Sequence, residues 1–176
     1  MTEEDLLKKA RRIKLLLLDV DGVLTDGRIV YDSKGRDSKF FDVHDGLGVY
    51  MLRIAGIHTI LITAKGSHTI KPRARDMGVD RVYSDVYPKS AILDKVSRIY
   101  KVSYEEICFV GDDLVDLGIM QRVGFSVAVF NACAEIKDIA DYITKSEGGR
   151  GAVREVAELL LKSQERWDTV LQRYRS

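Results

Sequence analysis

Short apolar runs alternate along the chain with stretches whose apolar residues recur at helical spacing. The first run, residues 13–20, is almost continuously apolar, as expected of a strand that is buried on both faces. Further strands are predicted at 57–62, 81–83, 107–110 and 125–129, and helices between them at 46–55, 88–100, 114–122 and 133–140. This alternation predicts an α/β fold, with a Rossmann-like parallel sheet flanked by helices.

One segment interrupts the alternation directly after the first strand. Residues 27–42 contain Ile-Val-Tyr, a polar Asp-Ser-Lys-Gly turn and Lys-Phe-Phe, which together predict a β-hairpin flap. Near the other end of the sequence, apolar residues at helical spacing predict one long helix over residues 151–174. The length suits one compact core, so residues 1–176 are expected to form a single domain.

Composition and charge exclude several classes of protein. The 28 Lys and Arg residues and the 27 Asp and Glu residues leave a net charge of +1, which favours neither nucleic acid nor a membrane surface as a partner. The longest unbroken apolar run, residues 15–18, is far shorter than the ~20 residues of a membrane-spanning helix. The acidic first residues are unlike a signal peptide, and the two cysteines lack metal-finger spacing. These features favour a cytoplasmic location.

Residues able to take part in catalysis follow four of the predicted strands. They are Asp19 and Asp21, Thr63, Lys89, and Asp112 with Asp113. The carboxyl ends of parallel strands meet at one edge of a sheet, where ligands bind. Four carboxylates gathered there cannot all remain ionised without a cation, so the sequence predicts a hard divalent ion such as Mg²⁺.

The same residues resemble the four ordered motifs of the haloacid dehalogenase superfamily of phosphotransferases. The motifs are DVDGVLT at residues 19–25, Thr63, Lys89, and GDD at residues 111–113. The resemblance implies that Asp19 attacks phosphorus and forms an aspartyl-phosphate, while Asp21 acts as the acid and base. It also implies that Thr63 and Lys89 hold the phosphoryl group.

The resemblance implies a ligand set for the metal as well. The side chains of Asp19 and Asp112 and the backbone carbonyl of Asp21 are expected to bind Mg²⁺. Spacing alone does not choose among three roles for Asp113 and Asp116, which are direct ligand, water-mediated ligand or support of a ligand.

A narrower resemblance depends on the short spacing between the motifs. The intervals between residues 19 and 63 and between residues 63 and 89 have no room for a cap domain, so the chain is of the capless type. Residues 19–27, 41–48, 111–116 and 148–155 are similar to the capless family that hydrolyses 3-deoxy-D-manno-octulosonate 8-phosphate. This similarity implies a phosphomonoesterase in the cytoplasmic synthesis of the sugar acid of bacterial lipopolysaccharide.

The narrower resemblance also implies which residues contact the sugar phosphate. They are Asp21, His44, Asp45, Gly46, Leu47, Gly48, Lys65, Arg73 and Lys89. Lys65 and Arg73 are expected to meet the sugar carboxylate. The structural alternatives are a helix N-cap at Asp45 and a solvated helix face at Lys65 and Arg73. Related enzymes often carry Gly-Arg where Ala64 and Lys65 stand, and lysine lacks the planar fork of arginine.

The missing cap predicts a homo-oligomer. A phosphoryl-transfer site works best when bulk water is excluded, and a neighbouring subunit can supply that cover. The apolar flap and a C-terminal helix bearing Trp167, Val170 and Leu171 are expected to form the contact, although both could instead fold back on their own core. The resemblance implies a tetramer.

Three other functions compete with this interpretation. Sister enzymes with much the same motifs act on phosphates of nine-carbon, sialic-acid-like sugars. A receiver-like switch phosphorylated on Asp19 has no need of a second acid at Asp21. A weakly active regulatory subunit has no need of the full set of motifs.

Overall fold

The computed structural model describes residues 2–175, which form one sheet, a hairpin and surrounding helices. The strands are β1 (Leu15–Leu18), β2 (Val30–Tyr31), β3 (Asp37–Ser38), β4 (His58–Ile62), β5 (Arg81–Tyr83), β6 (Ile107–Gly111), β7 (Phe125–Ala128) and β8 (Tyr142–Ile143). The helices are α1 (Glu3–Arg11), α2 (Val43–Ile54), α3 (Ile70–Met77), α4 (Leu93–Tyr100), α5 (Leu117–Met120), α6 (Ala134–Ile139), α7 (Ala152–Ser163) and α8 (Trp167–Gln172).

The main sheet is parallel and has the order β5-β4-β1-β6-β7-β8. All four leucines of β1 are fully buried, because this strand lies mid-sheet with helices on both faces. The predicted α/β fold is confirmed. The chain runs outward from β1 through β4 to β5 and then returns to start β6 on the other side. The reversal of strand order opens a crevice at the carboxyl ends of β1 and β6.

The flap is shorter than the sequence predicts. Val30 pairs with Ser38 and Tyr31 with Asp37, so the second strand ends before the Lys-Phe-Phe run that the sequence assigns to it. After the strand, Phe40 is exposed and the Phe41 ring is partly buried against the core. The hairpin therefore has two paired residues on each strand.

Helix α2 begins three residues earlier than predicted. The Asp42 carboxylate accepts a hydrogen bond from the His44 amide at 2.6 Å and caps the helix, so residues 44 and 45 belong to its first turn. The predicted start at residue 46 and the alternative of an N-cap for this helix at Asp45 are both wrong, because Asp42 is the cap.

The predicted C-terminal helix is two helices, α7 and α8. The chain turns at residues 164–166, where Glu165 has a φ of 57° and the Gln164 side-chain amide donates to the carbonyls of Ala10 and Ile13. The turn returns α8 to the core, burying Val170 and packing Trp167 against it. Val170 is therefore not available to a partner, whereas Trp167 and Leu171 are only partly buried, and their expected partner contact stays a prediction.

The chain between the catalytic motifs is occupied by regular elements of the core domain. The hairpin and α2 fill the first interval, and α3 and β5 fill the second, so residues 2–175 contain no cap domain. None of the helices in this part of the chain is long and apolar enough to cross a membrane.

Candidate active site

The predicted catalytic residues meet at the carboxyl edge of the sheet, around a cavity of about 230 Å³. It is lined by Asp19, Asp21, Gly27, Thr63, Ala64, Lys65, Lys89, Asp112, Asp113 and Val115. A larger cavity of about 660 Å³ lies at the amino ends of β1, β4 and β6 and contains none of the predicted site residues. The smaller cavity is therefore the candidate active site.

Lys89 is buried between two carboxylates. Its Nζ lies 2.8 Å from Asp19 Oδ1 and 2.6 Å from Asp116 Oδ1, and only 1% of its side chain is exposed. Burial by itself lowers the pKa of Lys89, but the charges of Asp19 and Asp116 outweigh it and leave the pKa above its usual value. The site therefore holds a permanent cation next to the predicted nucleophile.

Asp116 supports its neighbours with both oxygens. Besides its contact with Lys89, its Oδ2 accepts a hydrogen bond from the Asp112 amide at 3.0 Å. Asp116 is completely buried in the chain turn that follows β6. Of the three roles that spacing left open, this geometry favours the support of a ligand.

Asp112 has a buried carboxylate oxygen that accepts no hydrogen bond from residues 2–175. Its Oδ1 is buried without a hydrogen-bond partner among residues 2–175, and burial, followed by the charges of Asp19 and Asp116, raises the pKa of Asp112 to about 8. Burial and the charge of Asp116 likewise raise the pKa of Asp19 to about 6, against the opposing effect of Lys89.

A divalent cation would offset this excess of buried negative charge. Carboxylate oxygens of Asp19, Asp112 and Asp116 lie within 4.8 Å of one another, and those of Asp116 are already engaged by Lys89 and the Asp112 amide. Asp19 and Asp112 are thus the side chains left to bind a metal, and oxygen ligands of this kind suit Mg²⁺.

The loop after β1 is shaped by close backbone contacts. Gly22 has a φ of 86°, and a Cβ there would lie 1.9 Å from Asp112 Oδ2. The Thr25 hydroxyl accepts hydrogen bonds from the Gly22 and Gly27 amides, both at 3.2 Å. The DVDGVLTDG pattern is thus a turn that brings Asp19 and Asp21 close to Asp112.

A second glycine segment, far along the chain, packs on this loop. The Gly149 amide donates to the Val23 carbonyl at 2.8 Å, and a Cβ on Gly148 would lie 1.6 Å from the Gly22 carbonyl oxygen. The two segments contact each other through backbone atoms, so residues 148–149 support the loop after β1 directly.

Thr63 and Lys65 form the wall opposite the loop after β1. The buried Thr63 hydroxyl donates to the Lys65 carbonyl at 3.0 Å and accepts from the Lys65 amide at 3.2 Å, closing a tight turn after β4. The Lys65 ammonium donates to the Tyr31 hydroxyl of the flap at 2.6 Å. Both residues lie at the cavity, as predicted from the sequence.

Sequence reasoning missed Lys39. This flap residue forms a salt bridge with the Asp21 carboxylate inside the site. A lysine near a hairpin carries no distinguishing local signal, because its contact depends on how the flap folds over the sheet.

Asp45 and Gly48 lie outside the cavity within a single chain. Asp45 is buried and accepts hydrogen bonds from the Arg154 amide at 2.8 Å and the Gly151 amide at 3.4 Å, so it caps α7. A Cβ at Gly48 would lie 3.0 Å from Arg154 Cα, so glycine permits close packing of α2 on α7. Both residues thus have a packing role within the chain, and their expected contact with substrate stays a prediction.

Gly46 and Arg73 are also occupied elsewhere. Arg73 Nη2 donates to the Asp42 carbonyl at 2.7 Å, and a Cβ at Gly46 would lie 2.4 Å from the same nitrogen. The Arg73 guanidinium lies over the Phe41 ring. These contacts hold α3 against the start of α2, and the expected contact of this pair with substrate stays a prediction.

His44 and Leu47 project from the first turns of α2. His44 is exposed and lies 3.4 Å from Asp42, and Leu47 is 38% exposed. Neither residue lines the cavity of its own chain. Their expected contact with substrate stays a prediction.

Comparisons with known proteins agree with this geometry. A family model described as haloacid dehalogenase-like hydrolase matches residues 77–156. The 3-deoxy-D-manno-octulosonate 8-phosphate phosphatase KdsC of Escherichia coli K12 is 38% identical over 164 residues, which cover 93% of this chain and 87% of the relative. The chain belongs to this phosphatase family.

Solved structures of the phosphatase family superpose closely on the chain. One is the 3-deoxy-D-manno-octulosonate 8-phosphate phosphatase of Moraxella catarrhalis, in complex with magnesium, phosphate and the sugar acid KDO (3-deoxy-D-manno-octulosonate). It has a TM-score of 0.95 and 36% identity, and the match covers 98% of this chain and 99% of that one. The cobalt-bound Haemophilus influenzae phosphatase has a TM-score of 0.86 and 34% identity, covering 89% and 92%. The fold is thus that of the capless phosphatases.

The buried cation generates the first testable prediction. Replacing Lys89 by Met leaves Asp19 and Asp116 without their shared cation, and this change is expected to lower the free energy of unfolding by about 3 kcal/mol. Urea denaturation at pH 8 with a chelator present measures the effect without metal. Lys71→Met, at an exposed position of α3, is the control and should change the stability by less than about 0.5 kcal/mol. Equal stability of the two variants would contradict the assigned role.

Proposed function

We propose that this protein is a Mg²⁺-dependent phosphatase that hydrolyses 3-deoxy-D-manno-octulosonate 8-phosphate to the free sugar acid and phosphate. The observation that carries the proposal is the charge arrangement in the cavity. The carboxylate of Asp19 is paired with Lys89, and the partnerless oxygen of Asp112 belongs to the same cluster. The substrate class is supported by the family relatives and by the KDO complex of the Moraxella catarrhalis phosphatase.

The first half of the reaction transfers the phosphoryl group to the protein. An Asp19 oxygen attacks phosphorus, a P–O bond to Asp19 forms, and the ester P–O bond to the sugar breaks. Asp21 gives its proton to the departing sugar oxygen. Lys89, held beside Asp19, offsets the negative charge of the phosphoryl oxygens, and Thr63 stands at the same wall.

The second half releases phosphate. Asp21, now ionised, takes a proton from water as the water oxygen attacks phosphorus, and the bond to Asp19 breaks. The products are inorganic phosphate and the original carboxylate of Asp19, so one water is consumed for each ester hydrolysed.

Mg²⁺ would be held by the side chains of Asp19 and Asp112 with the backbone carbonyl of Asp21. When bound, it supplies positive charge that lets an anionic nucleophile approach an anionic phosphate. Asp116 holds the Asp112 amide and Lys89, and so orients this ligand set without joining it.

We also propose a homotetramer in which one subunit covers the active site of another. Exposed apolar side chains form a flap–α2 face, which consists of Ile29, Val30, Tyr31, Phe40, Val43, Leu47 and Tyr50. A monomer would leave this face in water, and the open cavity lacks a cap. We infer a cytoplasmic enzyme that supplies the sugar acid for lipopolysaccharide.

The decisive experiment measures phosphate release from a panel of sugar phosphates. With Mg²⁺ present, we expect the eight-carbon acid phosphate to give the highest kcat/KM, and a chelator to abolish turnover until Mg²⁺ is returned. Asp19→Asn should be inactive with its circular dichroism unchanged, because an amide is a poor nucleophile.

Each other outcome of this experiment has a defined meaning. A higher kcat/KM for nine-carbon acid phosphates would favour the sialic-acid-like alternative. Absence of turnover on every ester would favour a receiver-like switch or a regulatory subunit. Full activity after exhaustive chelation, or in Asp19→Asn, would overturn the mechanism.

The acid role of Asp21 predicts a dependence on the leaving group. Asp21→Asn is expected to lose at least about 100-fold in kcat on the sugar phosphate but much less on an aryl phosphate, whose leaving group needs little protonation. Steady-state kinetics on both esters test this prediction. Equal losses on the two substrates would remove Asp21 from that role.

The proposed assembly predicts the mass in solution. Sedimentation at micromolar concentration should give four times the mass of one chain, and Phe40→Lys should lower it by placing a charge in the flap–α2 face. Ile99→Lys, at an exposed apolar position on α4, serves as the control and should leave the mass unchanged. A fully active monomer would show that one chain closes its own site.

A further inference from the structure

Lys39 is an unusual lysine, because its charged end is turned inward from the flap. Only 4% of its side chain is exposed, whereas lysine side chains are almost always at the surface. Its Nζ forms a salt bridge with Asp21 Oδ1 and lies 3.7 Å from Asp37 Oδ2. It is a second buried cation at the site besides Lys89, and the proposed chemistry gives it no task.

The contacts of the flap tie its position to the active site. Asp37 lies 3.4 Å from His68 Nδ1, and Tyr31 accepts a hydrogen bond from Lys65. Each strand of the hairpin is therefore held by a residue of the turn that follows β4. A flap held in this way keeps Lys39 on Asp21.

We propose, on the basis of the proposed function, that Lys39 is a positioning residue for the reaction. By holding Oδ1 of Asp21, it fixes the orientation in which Oδ2 carries the proton to the departing sugar oxygen. The Asp21 side chain is 29% exposed, and its carboxylate is paired with Lys39. Without that contact the carboxylate would sample several rotamers, and proton transfer is sensitive to such losses of alignment.

This role differs from that of Lys89. Lys89 joins Asp19 and Asp116, so its charge acts on the phosphoryl side of the site. Lys39 contacts Asp21, so Lys39 influences the protonation of the leaving sugar oxygen. The loss of kcat on removing Lys39 should therefore be larger for esters whose leaving group depends more on protonation. A purely structural contact would lower kcat equally for all esters.

Three variants separate these effects. Lys39→Met keeps the length of the aliphatic stem and removes the charge, whereas Lys39→Arg keeps a cation at the same place. Lys34→Met is the matched control, because Lys34 is exposed in the turn of the same hairpin. Melting curves of all three establish that the fold is retained.

The experiment measures kcat and KM with Mg²⁺ on 3-deoxy-D-manno-octulosonate 8-phosphate and on p-nitrophenyl phosphate. Lys39→Met should lower kcat roughly 10- to 100-fold on the sugar phosphate, and less than about threefold on the aryl ester. Lys39→Arg should recover most of the loss, and Lys34→Met should match the wild type. In an Asp21→Asn background, Lys39→Met should cause less than about a twofold further loss, because both changes remove the same step.

Several results would overturn the proposal. Equal losses of kcat on both esters would make Lys39 a structural contact. A higher KM with an unchanged kcat would make it a binding group for the substrate, and multiplicative losses in the double variant would show that it acts apart from Asp21. Failure of the wild-type protein on every ester would instead overturn the proposed function, which is a separate and recognisable result.

Discussion

Buried negative charge at the carboxyl edge of the sheet is the constraint on which the rest of the site depends. Asp19 and Asp116 are almost fully buried, and Asp112 has an oxygen that no group among residues 2–175 satisfies. Charges in such a place persist only when they are paired. Lys89 pairs with two of these carboxylates, and the third, Asp112, is left to bind a divalent cation. The strand order that opens the crevice also brings these groups together, so fold and chemistry have a common origin.

The meeting of the candidate site residues could be predicted where each of them follows a strand. Asp19, Thr63 and Lys89 come after strands of the parallel sheet, and the carboxyl ends of those strands lie at one edge, so their meeting could be predicted. The role of Asp116 could not, because it depends on Lys89, which lies 27 residues away in the sequence. Lys39 was missed for a similar reason, since a flap contact has no periodicity to reveal it.

The errors have an equally physical origin. The sequence predicts that α2 begins at residue 46, but the cap at Asp42 starts it three residues earlier, and Asp45 accepts a hydrogen bond from the backbone of α7. The break before α8 was missed because its apolar positions continue the helical spacing across the turn at Glu165. In both cases a single side chain or backbone angle determines where a helix begins or ends, and the periodicity of apolar residues does not show it.

The contact between residues 148–149 and the loop after β1 has a consequence for the order in which the protein is made. Asp19 and Asp21 leave the ribosome long before Gly148 and Gly149, whose backbone supports their loop. We expect a nascent chain to carry its nucleophile long before that nucleophile is held in place. A copy that stops before residue 148 would therefore have its nucleophile on an unsupported loop.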